Sequence, residues 1–265
     1  METKKRKKLG GGAGLIMLGC FAIAVCIYLF VFGNPSHFVN GDPNNHPLDG
    51  DLLGTIYKGG IIVPLILTLL LTVLSLSVER YIALKKGKGK GNLTYFAQDI
   101  KAALAKEDLA AANAICKKQK GSVANVVTTA LAKYEEVEKD ETLSKEQKML
   151  AIQKEIEEAT ALELPMLSQN LPIIATITTL GTLMGLLGTV IGMIRSFASL
   201  AGAGGTDSIA LSQGISEALI NTAFGIATGA LAVISYNYYT SKIDTITYCI
   251  DEVGFTIVQS FAAKH

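Results

Sequence analysis

"GISEALINTAFGIATGALAVISYN", residues Gly214–Asn237, is a run suited to lipid that nevertheless holds one carboxylate. Glu217 is the only charged residue between Ser208 and Ser241. Crossing a bilayer takes about 20 apolar residues for ~30 Å of hydrocarbon, and this run is long enough. Gln213, Glu217, Asn221, Thr228 and Ser235 fall on one face of the helical projection, within about 80° at ~100° per residue. A polar stripe on an apolar helix faces protein or water, because lipid cannot satisfy its hydrogen bonds. Thr222 points to another side.

Three further windows have the same character. Leu9–Phe32, Gly59–Val78 and Leu171–Ile194 join Ile209–Tyr236 as candidate spans in a chain of 265 residues, 49% hydrophobic, with net charge +1. Four such windows in so short a chain exclude buried core helices of a soluble domain. The first follows a basic "METKKRKK", but it is too long for a signal core and no small-x-small cleavage site follows it. It reads as an uncleaved span. Lysine and arginine counts set orientation. Five basic residues lie in the first eight and "RYIALKKGKGK" follows the second span, whereas the segment between the first two spans has three aspartates and one terminal lysine.

The chain therefore reads as an all-α integral membrane protein with four transmembrane helices and long helices extending into a cytoplasmic bundle. Its segments are a basic cytoplasmic N-terminus (1–8), an extra span (9–32), a periplasmic loop (33–58) and a span (59–78). A cytoplasmic helical region (79–170), a span (171–195), a periplasmic loop (196–208), a span (209–236) and a cytoplasmic C-terminal helix (237–265) complete it. "KKGKGKGN" lacks the spacing of a phosphate loop and reads as a joint anchored to anionic lipid heads. Two short helices follow, with Asp108 as an N-cap and Gly121 as a stop. An amphipathic helix comes next, then a longer one expected to run into the third span with bends at Pro165 and Pro172.

In the third span Thr178, Thr182, Gly185, Thr189, Gly192 and Ser196 share a face. Gly181/Gly185, Gly188/Gly192 and Gly225/Gly229 have the GxxxG spacing that lets helix backbones approach closely. Taken singly, these glycines and threonines read as packing. Glu217 does not. A charged carboxylate at membrane depth costs at least ~2.5–3.5 kcal/mol on insertion scales. Such a group is either a structural carboxyl bonded within the bundle, for instance to Arg195, or one that binds and releases a proton. Arg195 is expected at the outer end of its span, where it can snorkel to water. A proton falling through ~150 mV releases ~3.5 kcal/mol, enough for a conformational step.

No catalytic residues are expected and the chain does not read as an enzyme. His37, His46 and His265 make no credible triad with Ser, Cys and Asp. Cys20, Cys26, Cys116 and Cys249 have no metal-ligand spacing, and no disulfide is expected. No metal, organic cofactor or nucleic-acid partner is implied; membrane lipids are.

"GLLGTVIGMIRSF" followed by "GISEALINTAFGIATGALAVISYN" resembles the paired membrane signature of the ExbB/TolQ branch of the MotA/TolQ/ExbB proton-channel family. "SVERYIAL" and "KEDLAAANAICKKQKGSVANVV" are similar to that branch as well, so the resemblance covers roughly 59–255. It implies that Glu217 is the intramembrane glutamate and that Thr189 and Thr222 face the pore and the proton path; Asn221 and Thr182 join them as candidates. It further implies a homopentamer around a dimer of a single-span ExbD- or TolR-like partner whose aspartate carries the proton. That ring would couple proton flow to TonB-dependent outer-membrane transport from the bacterial inner membrane. A TolQ-like role in envelope maintenance and a motility stator remain open, as does a non-conducting scaffold. MotA also has four spans and a cytoplasmic insert, but lacks the "GISEAL…T" pattern. The chain departs from the family in its first span, in Thr182 and Leu231 where prolines are common, and in Arg195.

Overall fold

The computed structural model describes residues 12–202 and 208–264, without the side chains of 199–210 and Gln213. The basic N-terminus, the start of the first span at Leu9, and His265 lie outside the described residues. Nine α-helices account for most of what is described: α1 (Gly12–Cys26), α2 (Leu52–Lys58), α3 (Ile62–Lys88), α4 (Leu93–Ala105), α5 (Leu109–Gln119), α6 (Gly121–Glu138), α7 (Lys145–Ser168), α8 (Leu171–Gly202) and α9 (Ser208–Lys264). Extended pairing among the described residues is confined to one isolated bridge, Phe38 with Pro47. Among the described residues, four helical segments hold a run long and apolar enough to cross a membrane: Gly12–Phe32, one within Ile62–Ala105, one within Lys145–Ala198 and one within Gly214–Lys264. The all-α, four-span class expected from the sequence is the class observed.

The chain divides into two compact units, Met1–Val78 with Pro172–Tyr236, and Glu79–Leu171 with Asn237–His265. In the first, α1 passes into a wider π-type winding over Ile27–Phe32. Ala24 and Phe32 pack there with Ile56, Val63 and Leu67, flanked by Tyr28, Tyr57, Ile220 and Phe224. Outward-facing Leu15, Leu18, Val190, Ile194, Leu219 and Ile234 leave a broad apolar surface, as a lipid environment requires.

Residues 33–58 are more than a loop. Short 3-10 turns at Pro35–His37 and Val39–Gly41 precede α2. Asp51 caps α2, its carboxylate accepting the Gly54 amide at 3.0 Å and facing His37 Nδ1 at 2.7 Å. These two hydrogen bonds, Gly54 first and His37 second, hold the Asp51 carboxyl below the usual carboxylate range. Residues 196–202, expected in a loop, continue α8. Nothing in "FASLAG" before Gly202 stops a helix.

In the second unit, α4, α5, α6 and α7 pack with the later part of α9. Ile100, Leu131, Ile152, Ile250 and Ile257 are buried, and the Tyr134 ring meets Phe261 edge-on at 4.9 Å. The helix starts follow the sequence signals: Asp108 accepts the Ala111 amide, and Ser144 with Gln147 forms a capping box. Gly121 does not simply stop α5. Lys120 and Gly121 both take positive φ (58° and 84°), and Gly121 then opens α6.

The same close approach explains "KKGKGKGN". The helix α3 runs on to Lys88, past the expected span end, and Gly89 turns with φ 81°. A Cβ at Gly89 would lie 2.1 Å from the Lys120 carbonyl oxygen, so only glycine fits. The Lys90 amide donates to the Gln119 carbonyl at 2.8 Å, and Gln119 Nε2 to that of Lys88 at 2.9 Å.

Nor does α7 run into α8. Asn170 has φ 64°, breaking the helix after Ser168, while Pro165 stays inside α7 and Pro172 sits in the first turn of α8, where no amide hydrogen is needed. A buried arginine closes the end of α7. Arg80 donates to the Met166 and Leu167 carbonyls, each at 3.2 Å, and pairs with Glu79, which accepts from Asn170 Nδ2 at 3.2 Å. It thus satisfies carbonyls at a helix C-terminus that lack intrahelical partners.

Candidate functional site

The helices α8 and α9 meet through glycines. A Cβ on Gly181 would lie 3.0 Å from the Gly229 nitrogen, and one on Gly185 would lie 3.0 Å from Gly225 Cα. At Gly188 it would strike Asn221 Cβ at 2.5 Å, and at Gly192 the Cβ of Ala218 at 2.7 Å. Gly225 and Gly229 face back onto the backbone of Gly181 and Thr178. The six glycines with GxxxG spacing therefore share one contact, where neither helix has room for a side chain.

Hydroxyls line the same contact. The Thr189 and Thr222 hydroxyls bond to each other, and each also lies 3.2 Å from the Gly185 carbonyl. One arrangement thus bridges both helices. Thr182 donates to the Thr178 carbonyl at 3.5 Å and covers Gly229. Thr228, wholly buried, has no partner for its hydroxyl among the described residues.

Glu217 and Asn221 look elsewhere. They line a cavity of about 280 Å³ whose other polar walls include Lys58, Arg195, Asn44 and His46. Asn221 is 3% exposed and wedged between Gly59 and Gly188. Its Nδ2 donates to the Gly59 carbonyl at 3.0 Å, while Oδ1 has no partner among the described residues. Glu217, half-buried, forms no direct salt bridge with Lys58 or Arg195 among the described residues.

The placement of Lys58 starts from the π-type winding that follows α1. Tyr28 stacks on Tyr57, and the Lys58 ammonium donates to the Asn44 carbonyl at 3.0 Å with the Phe38 ring 5.8 Å away. The first span and the segment after it therefore bring a second cation to the cavity that holds Glu217.

Of the residues singled out from sequence, Glu217 with Asn221 and Thr189 with Thr222 form two adjoining groups, and Thr182 lies farther along the α8–α9 contact. Arg195 shares the cavity of Glu217 as well as standing near the end of its span. Ser235 is half-buried, and the Gln213 side chain lies outside the described residues. Sequence reasoning missed Lys58, whose only signal was being the sole cation between residues 33 and 58. No group of three His, Cys, Asp or Glu side chains able to hold a metal occurs among the described residues. A lone carboxylate facing an ammonium and a guanidinium does not offer a divalent metal the oxygen shell it takes.

Fold and site together define a helical membrane protein with an ionisable carboxylate lodged among its spans. A family model described as the MotA/TolQ/ExbB proton channel family matches residues 118–252, just over half of the chain, and the chain belongs to that family. An ExbB-like biopolymer transport protein of Synechocystis is 38% identical over 88 residues, 32% of this chain and 42% of that protein. TolQ of Haemophilus influenzae is 34% identical over 84 residues (32% and 37%), and ExbB of Salmonella typhimurium 32% over 85 residues (32% and 35%). Each match spans less than half of the relative's length. The family is one of proton channels, not of enzymes.

Proposed function

We propose that the chain is the multi-span, ExbB-type subunit of a proton-driven motor in the bacterial inner membrane, with both termini cytoplasmic. The observation that carries this reading is Glu217, the sole charge in a long apolar stretch, placed in a polar cavity beside Lys58 and Arg195. A carboxylate there relieves its desolvation by taking up a proton and regains ionisation when it faces the cations. The proton is the coupling ion. Metal-ion coupling would need a shell of oxygen ligands, which a cavity with two cations opposes.

The ring is a homopentamer around an ExbD- or TolR-like dimer, each partner helix supplying an aspartate that exchanges protons with Glu217. The bridged Thr189 and Thr222 hydroxyls, with Thr222 about 7.5 Å along α9 from Glu217, hand the proton along the α8–α9 contact toward Thr182. Rotation or rearrangement of the enclosed helices then works a TonB-like protein that opens outer-membrane transporters. TolQ-type coupling to envelope maintenance stands beside this, because TolQ of two bacteria matches at 34% and 36% identity, within the range of the ExbB relatives. The neighbouring gene, for TonB or a Tol component, separates the two.

The test is proton flux in liposomes holding the chain with its single-span partner. Glu217→Gln keeps size and hydrogen bonding but cannot release a proton. Assembly retained with flux abolished supports the channel; undiminished flux and coupled transport would make Glu217 a scaffold residue. Co-purification and native mass of the complex test the five-to-two stoichiometry.

A further inference from the structure

A second polar cavity lies between the later parts of α3 and α9, about 320 Å³ in volume. Lys85 and Lys88 reach it from α3 and Lys242 from α9, with Tyr81, Tyr238 and Tyr239 around them. Leu84, Leu93 and Ile246 complete an apolar wall, and no acidic side chain lines it. None of the three lysines forms an ion pair among the described residues. The Lys242 ammonium lies 5.5 Å from the Tyr238 ring centre, and the Tyr238 and Tyr239 rings meet edge-on at 5.1 Å.

Depth along the helices says what such a cavity faces. Val78 and Tyr236 end the apolar runs, so Lys242, Lys85 and Lys88 follow by roughly 9, 10.5 and 15 Å at ~1.5 Å per residue. The headgroup layer is roughly 5–7 Å thick on each side of the hydrocarbon. The stems of Lys85 and Lys242 reach back across that difference, with Lys88 a turn farther out, and tyrosines settle at the same level. Three ammonium groups, phenol hydroxyls and an apolar wall, with no competing carboxylate, make a receptor for one phosphodiester attached to a greasy tail.

We propose that this cavity binds the headgroup phosphate of an anionic phospholipid of the cytoplasmic leaflet. The site is a defined pocket between two helices, more specific than a general attraction of the basic "KKGKGKGN" joint to the surface. By binding both α3 and α9 just beyond their apolar runs, the lipid holds the ends of two spans together. The inference rests on the membrane reading of the chain and not on ion flux.

Native mass spectrometry of the full-length protein, purified in detergent with phosphatidylglycerol or phosphatidylcholine added, tests it. The expected result is retention of phosphatidylglycerol with little phosphatidylcholine. Lys85→Gln with Lys88→Gln and Lys242→Gln should lower that retention about tenfold or more. Lys101→Gln with Lys117→Gln, on α4 and α5, should leave it unchanged. Should the triple variant fold poorly, single Lys242→Gln and the lipid-induced rise in melting temperature give the same comparison. Equal retention of both lipids, or no loss in the lysine variants, overturns the proposal. So does competition by millimolar inorganic phosphate, which would assign the pocket to a soluble anion.

Discussion

Tyr28 stacks on Tyr57 with ring centres 4.7 Å apart and donates its hydroxyl to the Tyr57 carbonyl at 2.9 Å. One side chain of the first span thereby fixes the residue just before Lys58. The extra span gains a role from this contact: it holds the end of α2 where its lysine lines the Glu217 cavity.

Lys58→Met removes one of the two cations that line the Glu217 cavity, so proton flux and its pH profile should change. Lys58→Arg should restore both. Tyr28→Ala should shift the profile the same way as Lys58→Met, by a smaller amount. Other groups at this cavity are Arg195 and His46, so Arg195→Gln serves as the comparison. Flux assayed across pH in liposomes checks the series; identical profiles for the wild type and Lys58→Met would remove Lys58 from the mechanism.

Gly225→Val should separate α8 from α9. Its Cβ would meet the Gly181 carbonyl oxygen and Gly185 Cα, both at 2.6 Å, and backbone cannot rotate away as a side chain can. Overpacking of this kind costs about 1–3 kcal/mol or more. Thermal unfolding in detergent should show a lowered midpoint, whereas Gly14→Ala, with open space around its Cβ, should be neutral.

Arg80→Met should loosen the second unit. It strands the Met166 and Leu167 carbonyls and leaves Glu79 without its cation, at roughly 2–3 kcal/mol. Hydrogen exchange at the end of α7 should rise, and exchange in α1 should not.

The α2 cap gives a pH dependence. The Asp51 carboxyl titrates below its unfolded value of about 3.9, so its contribution is complete above that value and is lost as pH falls through the lower folded value. Protection of residues 52–58 should therefore hold from neutral pH to about 5 and decline below about 4. Asp51→Ala should show the low protection at every pH.

Much of this was legible in the sequence because composition and period report directly on burial in lipid. The four apolar runs, the Asp108 cap and the GxxxG faces all express local rules. The break at Asn170 was not legible, because a positive φ in a non-glycine residue is fixed by its partner, here Glu79. The reason for Gly89 in "KKGKGKGN" lies some 30 residues away, at the Lys120 carbonyl, where no local pattern points. In the site, Glu217 stood out because a charge in an apolar run has few explanations. Lys58 did not, since a lysine before a span is ordinary and only the fold turns it toward Glu217.

The most direct measurement is infrared difference spectroscopy of the complex with its single-span partner, comparing resting and proton-energised states. A protonated-carboxyl band that appears and disappears with turnover, and is absent in Glu217→Gln, is the predicted result. A band that stays constant through turnover, or survives in Glu217→Gln, would contradict the account.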